Sequence, residues 1–367
     1  MWLINHIGLV SWRKSPQAHW TEQARLLWPV RIAAAVNMFL IPAILQLAQE
    51  LIAPVPQYFM YANGTAAFVG AMVGGYPLVR TIFPAYAFTV WLREAVIGWS
   101  LKAAFLVALI LAGVLMPAEP GWPMAVVVAV YAAFHLSLQL GLLLAIARRF
   151  RFVHSTGERL QRIVAAQSAL MSMPAPVVWE MDGKLANAFA LPLTRELVVS
   201  RRLLDICDDA ELGAVCVHEL AHLGESRMVR AGRLLASFQF FPLIFIRPLS
   251  HLGDGLGVLL AFVALWLVGL FSRKLSQRME VRADAEATRR QADEGVYARA
   301  LEKLYQANLL PAVNVNNRQT HPHLYDRLTA AGITPGYDRP RPAKTTPLQI
   351  GLYLALGVLI ALLSRRE

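Results

Sequence analysis

The sequence predicts a mostly α-helical, multi-pass membrane protein whose polar half carries a small antiparallel β-meander and is interrupted by a transmembrane hairpin. Composition is the first sign: 56% of the 367 residues are hydrophobic and 16% charged, against about 25% charged in ordinary soluble chains. Mean hydropathy is +0.45. The second is a series of long apolar stretches on either side of one polar tract, 148–233.

Ile32 to Leu51, Ala103 to Met116 (extendable back to Ala95) and Pro123 to Ala147 precede that tract. Leu234 to Ile246 and Leu256 to Phe271 follow it as a hairpin, and Leu348 to Leu363 lies near the end. A spanning helix needs about 20 residues, which several of these reach only with their flanks. Ala66 to Trp91 is apolar but interrupted by Arg80, prolines and glycines. It reads as a broken span or a re-entrant segment packed against protein. The expected organisation is a membrane part over 1–150 with about three to four spans, then a polar part over 151–333 that contains the hairpin 234–271. A proline-rich linker over 334–347 and an apolar helix and tail over 348–367 complete it.

The net charge is +11. Most arginines flank apolar segments, where the bias of charge across a bilayer places them. No aromatic-interleaved basic patch or nucleic-acid module occurs, so the expected partner is the lipid bilayer and not nucleic acid. The loop 117–123 holds no Lys or Arg, whereas Arg148 to Phe152 reads RRFRF. Pro123 to Ala147 therefore runs from outside to inside, and the polar tract lies in the cytoplasm. Arg273, Lys274, Arg278 and Arg282 return the chain to that side after the hairpin. The basic tail after Leu363 fits this scheme poorly, and the orientation of the last helix stays open. The two cysteines, Cys207 and Cys216, exclude a disulfide framework and read as small buried hydrophobes. The first residues, MWLINHIGLVSWRK, place charge after a short apolar run, the reverse of a cleaved signal peptide.

In the polar tract, Val177 to Trp179, Ala186 to Leu191 and Glu196 to Val199 read as three short strands, with a turn at Asp182-Gly183. Asp208 followed by Glu211 fits a capping box, so a helix starts there. On that helix VCVHELAHLG places His218 and His222 one turn apart on one face, with Glu219 rotated about 100° from His218. Two imidazoles at this spacing can grip one metal ion, and Glu219 can reach a water beside it. With this composition such a motif arises by chance on the order of one time in a hundred, so alone it also fits a buried helix with hydrogen-bonded histidines. Farther on, Leu275, Met279, Ala283 and Ala287 form an apolar helical stripe, with Glu280 and Asp284 four apart on the adjoining face. Glu280 could be a third ligand and Asp284 could orient a ligating histidine; the spacing equally fits a solvated face of acid–arginine pairs.

These elements together resemble the integral-membrane zinc metallopeptidases of the HtpX and type I CAAX prenyl protease group. The resemblance rests on five elements in order: Asn187-Ala188-Phe189-Ala190, the His218 to His222 motif, the Leu234 to Phe271 hairpin, Glu280 with Asp284, and Thr320-His321-Pro322 with Arg327. It covers roughly 150–330. Val281 stands where the family usually has Tyr, and Leu193-Thr194 follow Pro192 where it often has Gly-Gly.

The resemblance implies a helical zincin-like metallopeptidase domain with one Zn²⁺ held by His218, His222 and Glu280. It implies Glu219 as general base, His321 as oxyanion donor, and Asp284 behind a ligand. Asn187, Ala188, Phe189 and Ala190 would bind a peptide or membrane-protein substrate as an added strand, with Arg327 supporting the substrate or the loop. The expected setting is a bacterial inner membrane with the active site facing the cytoplasm. The expected work is quality control of membrane proteins. Maturation of lipidated C-termini, or a sensor that cuts one regulatory partner, are the alternatives. A transporter would need charge buried mid-span, for which Arg80 is the one strong candidate. Nothing in the sequence gives the oligomeric state.

Overall fold

The computed structural model describes residues 7–52, 57–251, 255–314 and 322–343. It begins with α1 (Val10–Arg13) and α2 (Trp20–Ile52), which contains the expected first span. The ambiguous stretch resolves into separate pieces: α3 (Gln57–Val73), α4 (Tyr76–Ile82) and the start of α5 (Phe88–Leu115). Arg80 lies exposed in the last turn of α4, so it is not the buried mid-span charge that a transporter reading required. α6 (Trp122–Gln139) is followed by α7 (Leu142–Arg149). The expected span to Ala147 is thus cut at Gly141, whose φ of +88° is left-handed and costs glycine little.

The polar part begins with β1 (Val153–Ser155), α8 (Glu158–Leu170), β2 (Val177–Met181), β3 (Ala188–Leu191) and β4 (Glu196–Ser200). The helices α9 (Arg201–Ile206) and α10 (Asp209–Leu223) follow. The hairpin's first arm is α11 (Arg227–Ser237), a 3₁₀ turn (Phe241–Phe245) and α12 (Ile246–Ser250). Its second is α13 (Leu256–Arg290), after which come α14 (Val296–Asn308) and α15 (Leu324–Ala330).

Four described segments are long and apolar enough to cross a membrane: Phe88–Leu115, Trp122–Gln139, Arg227–Ser250 and Leu256–Arg290. Their outward faces are bare hydrocarbon, with Leu111 52% and Leu267 53% exposed. Such faces are stable only against lipid. The C-terminal stretch 348–367 lies outside the described residues. The proline-rich segment is packed where it is described: Ala343 bridges to Asn314, and Tyr337 lies against His19 and Trp20.

The expected antiparallel meander is corrected to a mixed sheet in the order β1-β2-β4-β3, with β2 and β4 parallel. β4 explains why. Leu197, Val198 and Val199 are all fully buried, and a strand apolar on both faces belongs in the interior of a sheet. It therefore inserts between β2 and β3, and the Asp182-Gly183 turn leads across it rather than back in a hairpin. β3 is left at the edge, paired on one side only. β1 completes the sheet and carried too short a pattern to be read from sequence.

Every residue of α10 from Glu211 to Leu223 is buried. One of its sides packs with Leu160 and Val164 of α8 and Leu197 and Val199 of β4. Another packs with Ala287 of α13, Tyr297 of α14 and Leu328 of α15. The capping box at its start forms: the Glu211 amide donates to Asp208 at 2.9 Å and the Asp208 amide donates to Glu211 at 3.0 Å. α10 is thus a fixed rod inside the polar half. α13 is a second rod, continuous from the apolar hairpin to the polar interior, so Glu280 is borne on the same helix as the lipid-facing Leu267.

Candidate metal centre

The site lies where α10 and α13 cross. His218 and His222 present their rings at an interplanar angle of 81°, with centroids 5.0 Å apart. Glu280 reaches both: one oxygen lies 3.4 Å from His218 Nε2 and the other 3.5 Å from His222 Nε2. Ligand atoms of the three residues lie within 4.8 Å of one another, and all three side chains are buried.

Two features test whether a metal fits. An ion about 2.1 Å from each of its tetrahedral ligands separates them by roughly 3.4 Å, the spacing found here on both sides of Glu280. The other ring nitrogens are also occupied. His218 Nδ1 lies 2.8 Å from the Tyr297 hydroxyl and 3.1 Å from Asp284. His222 Nδ1 lies 3.1 Å from Glu225. Carboxylates at Nδ1 hold a proton there, so Nε2 is the nitrogen that each ring turns toward Glu280, as a ligating histidine needs.

Behind His218 is a network of three side chains, with Tyr297 and Arg327 buried and Asp284 half-buried. Arg327 donates to both oxygens of Asp284, at 2.8 and 2.6 Å, and to Tyr297 at 3.0 Å. Tyr297 donates to Asp284 at 2.7 Å. Burial works against charge on His218, but its bonds to Asp284 and Glu280 outweigh that and raise its pKa to about 9. Burial also keeps the Tyr297 hydroxyl protonated, well above its usual range. Behind His222 is a shorter chain: Arg233 of α11 donates to Glu225 at 2.7 Å.

Glu219 is 9% exposed, and among the described residues its carboxylate has no hydrogen-bond or ion-pair partner. β3 runs over α10, and its first residue is fixed through Asn187: the Asn187 amide donates to Ser200 Oγ at 2.8 Å and its carbonyl accepts from the Ser200 amide at 2.8 Å. The Asn187 side chain is exposed, and Ala188, Phe189 and Ala190 are half-buried on this edge strand.

The structure therefore brings together His218, His222, Glu280 and Asp284 and sets β3 beside them. His321 lies outside the described residues. Arg327, expected to support the substrate or the loop, is 8% exposed and spends its guanidinium on Asp284 and Tyr297. Its Nε and Nη2 hydrogens are spent on this network, so it braces Asp284 and Tyr297 directly, and its expected support of the substrate or the loop stays a proposal. Sequence reasoning missed Tyr297, Glu225 and Arg233. Glu225, one helical turn beyond His222, offered a signal in its spacing; Tyr297 offered none.

Comparison with known proteins assigns this region. Residues 154–332 match the profile of Peptidase family M48. These residues are a peptidase family M48 domain. A Protease HtpX homolog of Halobacterium salinarum is 34% identical over 158 residues, 41% of this chain and 55% of the relative. One from Trichormus variabilis is 30% identical over 190 residues, 47% of this chain and 66% of the relative. The chain thus spans between half and two thirds of the length of these curated relatives. The crystal structure of S. mikatae Ste24p superposes with a TM-score of 0.53 at 16% identity, covering 90% of this chain and 95% of that one. The fold likeness therefore extends beyond the M48 domain into the membrane helices. The M48 domain is a metallopeptidase fold set in an integral membrane protein, and the cluster at Glu280 is where its metal would sit.

Proposed function

We propose that the protein is a membrane-embedded zinc endopeptidase that hydrolyses peptide bonds of membrane or membrane-associated proteins in quality control. The observation that carries this reading is the cluster itself: two imidazoles and a carboxylate at ligand spacing, with Glu219 and an edge strand alongside. When bound, zinc polarises a carbonyl and acidifies water. His218, His222 and Glu280 would hold it, one carboxylate and two neutral donors suiting a divalent ion. Glu219 takes a proton from the attacking water and returns it to the departing amide nitrogen. The free side of β3 pairs with an extended substrate through its backbone, presenting one peptide bond to the cleft with little demand on side chains. His321 is assigned as donor to the developing oxyanion. Arginines after α6 and after the hairpin's apolar arm support a cytoplasmic site.

Glu219→Gln tests the reading. It keeps the metal, measured by elemental analysis, and abolishes cleavage, measured by comparing membrane proteomes of cells with either form. Normal cleavage in that variant would remove Glu219 as the base.

A further inference from the structure

A basic hollow lies on the polar half, away from the metal centre. α6 ends at Gln139, Gly141 breaks the axis, and α7 turns over the sheet. The inner side of α7 is buried: Leu144 and Ala147 pack with Val153 and Val198. Its outer side is also apolar. Leu142, Ile146 and Phe150, four residues apart, are 37%, 36% and 64% exposed. A short helix that joins a span and is apolar on its outer face has the pattern of a helix lying in the bilayer interface.

Beside this face, Arg148, Arg149, Arg151, Arg201, His154 and Trp179 ring an open hollow of about 880 Å³. Arg148 lies over the Trp179 ring, 3.9 Å from its centroid. One acid lines the hollow, Asp182, and it pairs with Arg93 at 3.1 Å; of the arginines, Arg201 pairs with the neighbouring Glu180 at 2.7 Å. Arg149 and Arg151 are exposed, and among the described residues neither guanidinium has a partner. Positive charge therefore exceeds negative charge here, next to hydrocarbon.

We propose that this hollow and the outer face of α7 form a binding site for an anionic phospholipid. The phosphate sits among the guanidiniums, and an acyl chain runs along Leu142, Ile146 and Phe150. The apolar face favours a lipid over a soluble phosphate, because only a lipid satisfies both halves at once. Such a lipid would seat the M48 domain's sheet on the membrane surface, on the side of the charges that follow α6. This inference does not depend on peptidase activity.

The test uses the full chain in neutral detergent and counts bound lipids by native mass spectrometry, with phosphatidylglycerol or phosphatidylcholine added. The wild type should retain phosphatidylglycerol preferentially. R149Q/R151Q, which changes two exposed unpaired residues, should lose that preference on the order of tenfold. R162Q/R299Q makes the same charge change at other exposed sites and should keep it. Added salt should weaken the preference. Equal preference in wild type and R149Q/R151Q would overturn the proposal. So would equal loss in the control, or displacement of the lipid by glycerol phosphate at matched concentration, which would mark a site for soluble phosphate.

Discussion

His218 and His222 stand one turn apart on α10, yet different parts of the molecule hold them. His218 is backed by Asp284, Tyr297 and Arg327, a closed network in which the arginine side chain is 6% exposed. His222 is backed by Glu225 and then Arg233, which is 37% exposed and belongs to the first arm of the hairpin. One support is a mutually bonded knot of the polar core; the other is an open chain leading toward the bilayer. Orientation of a ligand thus comes in two forms with different energetics. Losing a carboxylate from the knot strands a buried charge. Losing it from the chain leaves an arginine that water can reach.

The largest predicted contrast follows from that difference. Asp284→Asn leaves Arg327 buried without its charge partner, a change that costs about 3–5 kcal/mol when a buried pair is broken. It should also weaken metal affinity by about 10–100-fold. Chemical unfolding and chelator competition on the same preparation would measure both. A fold unchanged in stability would mean that the knot is not a closed unit.

The two supports also divide in pH. In the metal-free protein His218 has a pKa of about 9, above its ordinary 6.5. Its Nδ1 proton is held by Asp284, so the titrating proton sits on Nε2 and competes with the metal. Between those two values a proton must leave for metal to bind, so affinity should rise with pH by about tenfold per unit and level off above about 9. The charged ring conversely stabilises the metal-free fold fully below about 6.5, and that contribution is lost as pH rises through about 9. Asp284→Asn should move the window to lower pH, because it removes a bond that favours the charged ring. Glu225→Gln should leave it in place. Zinc titrations against a competing chelator across this range would show the slope, and a flat profile would contradict it.

Much of the centre was legible before the fold was known. The motif on α10 sets two imidazoles on one face because the helix repeat allows nothing else. Glu280 and Asp284 stood out because a charged pair beside an apolar stripe of Leu275, Met279, Ala283 and Ala287 can face inward together, although the spacing alone equally fits a solvated face. The capping box fixed where α10 begins. Pairing between distant elements was not legible. The sheet order depends on β4 being buried on both faces, which four or five letters of apolar sequence do not distinguish from one buried face. Gly141 reads as a tolerated residue inside a long apolar run, although it ends α6. Tyr297 meets His218 only because α14 packs across α10, a contact that leaves no mark at either position.

Glu225→Gln sharpens the comparison from the weaker side. The amide oxygen can still accept the His222 proton, so orientation survives while the charge is lost. Arg233 regains water on its exposed side. Metal affinity should fall by about tenfold, with a stability loss near 1 kcal/mol. A loss as large as that of Asp284→Asn would show that the hairpin-side support is as closed as the other.

The smallest effect is expected for Tyr297→Phe. The hydroxyl bridges His218, Asp284 and Arg327, but the direct contacts remain without it: Asp284 lies 3.1 Å from His218 Nδ1 and keeps both bonds from Arg327. The ring, stacked on His218 at a centroid distance of 5.9 Å, is kept by phenylalanine. What is removed is one neutral donor among charged ones, at a cost of about 1 kcal/mol. Metal affinity should change by less than about tenfold, below the full effect of losing an outer partner. Chelator competition would decide, and a loss equal to that of Asp284→Asn would mean that the hydroxyl, rather than the carboxylate, holds the His218 proton in place.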